Sequence, residues 1–227
     1  MKRQRLVPQG TLSRLFEQAA EAWRRQAYDE TIQLLERATR LDPANARVLF
    51  DLGRAYGLRY DYATAERCLE RAVRVAPRKA EALAEAGRRA QEFGHYELAT
   101  RYFERASDDK AASADVLVTL AELYERGHRT DAAAALIDQA LARQANHPGA
   151  MLARARLDRM AGKLESAEQL ARALLENPGC DPSTRVRAWY ELGSILDRQN
   201  RFDEAMTAFL EAKALLRPAA AQPAAIL

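Results

Sequence analysis

The chain has 227 residues, 48% hydrophobic and 30% charged, with a formal net charge of +3. It is too apolar to be disordered, and Arg and Glu alternate on the same segments instead of separating into the basic stripe of a nucleic-acid binder. No apolar run reaches the length of a membrane span. Two distant cysteines, Cys68 and Cys180, make no disulfide framework, so a reducing, cytoplasmic setting is expected.

Residues 1–11 are polar and contain Pro8 and Gly10, which predicts a flexible lead-in. No apolar core follows the basic start, so it is not read as a secretory signal. From Leu12 onward apolar residues recur at helical spacing, broken at short intervals. The pattern around Leu49, Leu52, Gly53, Tyr56, Ala65, Leu69, Ala72 and Pro77 returns on shifting the sequence by 34. Starts fall at Leu12, Ala46, Ala80, Ala114 and Pro148, with a sixth at Val186 after an insertion in residues 177–185. The repeats are therefore 12–45, 46–79, 80–113, 114–147, 148–185 and 186–219, and 220–227 is a flexible tail.

Each repeat predicts two helices separated at a polar or Gly site such as Tyr60-Asp61, Gly94-His95 or Asn200-Arg201. Asp29, Asp61, Asp131, Ser166 and Asp203 are candidate caps for the second helix. Prolines such as Pro43 and Pro77 end repeats by clashing with the preceding turn.

No catalytic constellation emerges. His95, His128 and His147 fall in predicted turns and are not paired at i,i+4 as a helical metal site requires. A P-loop, GxGxxG, GxSxG and CxxC are all missing. Asp158 is read as a polar replacement near a helix interface, where other repeats carry Tyr or an apolar residue. The expectation is a protein with no enzyme activity, no metal and no cofactor.

These residues resemble the tetratricopeptide repeat (TPR), whose 34-residue helix–turn–helix carries W-x2-L-G-x2-Y, A-x3-F and P. The sixth repeat matches most fully, through Trp189, Leu192-Gly193, Phe202, Ala205, Phe209 and Ala212. The first and fifth are degenerate. The resemblance implies an all-α, right-handed solenoid of six repeats. It also implies a protein–protein interaction scaffold whose concave face, lined by the first helix of each repeat, holds a peptide or protein segment.

The family's groove positions fall on Phe16, Phe50, Ala84, Val118, Leu152 and Tyr190 (a mostly apolar seam), on Arg47, Arg54, Arg88 and Arg156 (an arginine row suited to carboxylates), and on Trp23 and Glu122. Position 12 of the repeats also places Gly57 on that face. A ligand with aromatic or aliphatic anchors and acidic flanks is expected, and nucleic acid or membrane is not. The Lys and Asn residues of the family's chaperone-tail carboxylate clamp are replaced by Phe16, Ala20, Arg54, Glu81 and Glu85. Residues 220–227 are too short to cap the stack, which points to a homodimer through the sixth repeat. The sixth repeat also resembles that of bacterial TPR-containing sulfotransferases, implying as an alternative the non-catalytic N-terminal arm of a larger bacterial enzyme.

Overall fold

The computed structural model describes residues 9–109 and 112–220. They form twelve α-helices, and no strand occurs among them. Contacts divide the chain into two compact units, residues 1–112 and 113–227.

The first unit holds α1 (Gln9–Arg24), α2 (Tyr28–Leu41), α3 (Ala46–Leu58), α4 (Tyr62–Val75), α5 (Lys79–Glu92) and α6 (Tyr96–Ser107). The second holds α7 (Ala114–Arg126), α8 (Thr130–Arg143), α9 (Pro148–Met160), α10 (Leu164–Glu176), α11 (Pro182–Arg198) and α12 (Phe202–Ala220). Residues 9–11, expected in the lead-in, are helical, and the rest of that segment lies outside the described residues. At the other end α12 continues past Pro218 to Ala220, and residues 221–227 of the expected tail are likewise outside them.

Helices pack as consecutive antiparallel pairs because a sharp turn joins the two members of each pair. One residue per turn takes a left-handed backbone: Gln26, Tyr60, Gly94, His128, Gly162 and Asn200. In every case the next residue but one starts the second helix. Close approach within a pair rests on small residues. A Cβ on Gly87 would stand 2.6 Å from the Phe103 ring, and one on Gly193 2.5 Å from Phe209. Ala65, Ala99, Ala133 and Ala167 are fully buried on the facing helices.

In the first unit the core runs from Leu15, Ala19 and Ala22 of α1 through Leu34 and Leu35 of α2 to Val48, Leu52 and Ala55 of α3. The second unit has three neighbouring clusters, centred on Leu117 and Ile137, on Met151 and Leu174, and on Leu192, Ile195 and Leu196. Each such leucine or isoleucine contributes about 1.5–3 kcal/mol by leaving water, so the amphipathic stripes set the fold.

The caps differ from the expected set. Asp61 alone among the named candidates accepts a backbone N–H, from Thr64 at 3.1 Å. Asp29, Asp131 and Asp203 are second residues of their helices, where they meet the positive end of the helix dipole without capping it. Ser166 instead donates to Asp158 at 2.8 Å. Among the described residues Asn45, His95, Ser113, His147 and Asp181 also cap helices through their side chains.

Candidate functional site

The first helices of the first unit bring four of the nominated residues around one recess. Phe16 and Trp23 project from α1 and Arg47 and Arg54 from α3, while Thr31 and Leu35 of α2 close the floor. The cavity measures about 310 Å³. Phe16 and Trp23 lie seven positions apart, two turns of one helix, so both rings face the same side. Arg47 and Arg54 repeat that spacing on α3. The Arg54 guanidinium lies 4.1 Å from the centroid of the Trp23 ring, and that of Arg47 lies 5.7 Å from the centroid of Phe16. Each cation thus covers an aromatic face, an attraction of roughly 0.5–2 kcal/mol.

The two arginines differ in what holds them. Arg54 is ion-paired to Glu92 of α5. Arg47 has no carboxylate within salt-bridge distance among the described residues. Asp51, one turn beyond Arg47 on α3, also lines the recess, and its contact is to Arg89 at 3.4 Å. Burial pushes the Asp51 carboxyl up from its ordinary value, against the pull of Arg89, Arg47 and Arg54. Asp51 was not among the nominated residues, although its place between two arginines of the same helix face was readable from spacing. The recess therefore offers two aromatic walls, a floor of Thr31 and Leu35, one carboxylate turned toward Arg89 and an arginine head held in no ion pair.

Phe50 and Arg88 line a different hollow of about 410 Å³, together with Pro77, Arg78, Glu81 and Glu85. Phe50 is only 7% exposed, and Arg88 is held by Glu85 on its own helix at 2.8 Å.

The second unit presents a different surface. Arg156 is ion-paired to Glu125, Arg159 to Glu191, and Glu122 to Arg187 at 3.0 Å. Burial pushes the Glu125 carboxyl up, opposed by Arg156. The apolar seam is corrected here as well, because Val118 and Leu152 are buried and only Tyr190 stays open, tilted against Phe209 at 6.1 Å. Of the nominated residues of this unit, Arg156 and Glu122 are therefore each taken up in an ion pair.

Two of the histidines cap helices. His95 and His147 each accept a backbone N–H through Nδ1, from Leu98 at 3.2 Å and Ala150 at 3.1 Å. That bond leaves Nε2 of His147 to donate to Asp115 at 2.9 Å. Asp158, 4% exposed, accepts from Ser166 and pairs with Arg154 at 3.1 Å. Among the described residues no group of three or more His, Cys, Asp or Glu could hold a metal ion, and no helix is long and apolar enough to cross a membrane.

Two family models, both described as tetratricopeptide repeat, match residues 22–86, and residues 84–148, 118–183 and 152–223. No curated protein matches the chain in sequence. Among solved structures it is similar to Pseudomonas aeruginosa pilF, with a TM-score of 0.64 and 18% identity over 91% of this chain and 92% of that one. It is also similar to BtubC from P. vanneervenii, with a TM-score of 0.65 and 14% identity over 94% and 97% of the two chains. A third is YrrB, described as a TPR protein with an unusual peptide-binding site, at 0.55 and 17% over 80% and 91%. At such identities the likeness is one of fold.

Proposed function

Since the chain belongs to the tetratricopeptide repeat family, a fold of protein–protein interaction scaffolds, we propose that it binds an extended protein segment at the first-helix face of the first unit. An acidic side chain of the ligand meets Arg47, and a neighbouring aromatic or aliphatic side chain enters between Phe16 and Trp23. The observation that carries this reading is the recess of about 310 Å³ with two aromatic walls and an arginine that lacks a carboxylate partner. An unpaired guanidinium over an aromatic ring keeps its donors for a carboxylate, and that pairing is directional. YrrB, similar in fold, supports peptide recognition as the class of activity.

The test uses fluorescein-labelled synthetic peptides with a Leu or Phe anchor, flanked either by Glu and Asp or by Lys. Fluorescence anisotropy at low salt should show tighter binding of the acidic set, weakened by added salt and abolished by Arg47→Glu. Equal affinity for the two sets, or binding indifferent to Arg47→Glu, refutes the reading.

A further inference from the structure

A run of exposed apolar side chains lies on α12 of the second unit. Phe202, Met206 and Leu210 are 61%, 59% and 56% exposed and succeed one another every four residues, so they form one stripe. The stripe is unlike the corresponding face of the other second helices. At the ninth residue of the helix, Glu36 of α2 accepts from Tyr56 at 2.6 Å, Asp138 of α8 from Arg154 at 2.8 Å, and Glu70 of α4 is ion-paired to Arg105. At the fifth residue, Glu66 meets Arg101 at 3.0 Å and Glu168 meets Arg201 at 2.8 Å. Each of these is a polar bond to the helix pair that follows. In α12 the ninth residue is Leu210 and the fifth is Met206. This face lacks the groups with which these second helices receive another repeat.

We propose that the stripe is the interface of a homodimer, in which α12 packs antiparallel on α12 of a second copy. Two charges on the helix choose that occupant and that direction. Asp203 adjoins Phe202, and Lys213 follows Leu210 on the same face; neither has an ion-pair partner among the described residues. The antiparallel register that sets Met206 against Leu210 of the second copy also sets Asp203 against Lys213, twice by symmetry. A parallel pair would oppose like charges. Met206 fills an irregular contact readily, because its side chain is unbranched and polarizable.

Sedimentation equilibrium of the full chain over a range of concentrations tests the proposal. The expected result is a reversible monomer–dimer equilibrium that Met206→Glu/Leu210→Glu shifts to monomer. Both side chains are more than half exposed, so circular dichroism should stay as in the parent, and Tm should match it at concentrations where both are monomeric. Asp203→Lys and Lys213→Asp should each weaken the dimer, and the double exchange should restore it. A monomer at the highest soluble concentration overturns the proposal, which is also the outcome if a different protein covers the stripe. So does a dimer that survives the glutamates. Failure of the double exchange to restore association overturns the antiparallel register.

Discussion

Gly57 shows what a single residue decides in this fold. The 34-residue register places it on the ligand-facing side of α3, yet it is buried, and a Cβ there would stand 2.2 Å from the Phe93 ring. Phe93 follows α5 of the next pair as its C-cap, is buried, and stacks on Tyr62 at 5.9 Å, which hinders the ring from yielding. Gly57→Ala should therefore destabilise the first unit by about 1–3 kcal/mol through overpacking. The partner substitution Phe93→Ala removes the clash at its source. Urea unfolding should find Gly57→Ala/Phe93→Ala less damaging than the sum of the single variants. Strict additivity would show that the ring is not what the methyl meets.

The same limit governs how much of the site was legible. Repeat register fixes a residue's angle around its own helix, and it brought Phe16, Trp23, Arg47 and Arg54 to one recess. It does not say how closely the next helix lies, so Phe50, Val118 and Leu152 were assigned to an open seam and are buried. Nor does it pair charges across repeats. Arg156 and Glu125 are 31 positions apart, and Arg187 and Glu122 are 65 apart. Separations of that kind carry no local signal.

At the scale of the helix, the start of α11 offers a defined test. Asp181 accepts from the backbone of Ser183 at 2.9 Å and of Thr184 at 3.1 Å, and from the Ser183 hydroxyl at 2.7 Å. These donors, those of Thr184 first, hold its carboxyl well below the usual carboxylate range. A pKa depressed by folding gives stability that is present above the unfolded value, near 4, and lost as pH falls through the folded one. Asp181→Ala should cost about 1 kcal/mol at pH 7. The gap between parent and variant in urea titrations should narrow as pH drops below the unfolded carboxylate value. Asp181→Asn keeps a neutral acceptor and should recover part of the loss. A gap as wide in acid as at neutrality would mean that the carboxylate is not the capping group. The sequence-level expectation missed this cap because it looked inside each turn for an acid, whereas Asp181 precedes Pro182 at the head of a first helix. Pro at the first helical position gives up no needed N–H, so the pair Asp181-Pro182 was the available signal.

Across the molecule, stability should follow the repeat organisation, because in such arrays each repeat contacts chiefly its neighbours. The two cysteines allow this to be read, one in each unit. Cys68 packs at the edge of the first unit's core, and burial pushes its thiol up to about 11. Cys180 is buried beside Met151, Leu174 and Ala188, and burial raises its thiol as well. Cys180 is buried and Cys68 only half-buried, so a disulfide reagent reaches Cys180 chiefly through local opening and Cys68 in part directly. Leu174→Ala removes a fully buried side chain of the second unit and should cost about 2–5 kcal/mol. Where opening and closing are fast relative to reaction, that cost corresponds to an acceleration of Cys180 labelling on the order of 30–5,000-fold. Cys68 should change much less. Leu69→Ala, fully buried in the first unit, should invert the pattern. Mass spectrometry of the two cysteine peptides distinguishes the sites. If either substitution accelerates both thiols equally, the chain opens as one cooperative body, and the nearest-neighbour account of its stability fails.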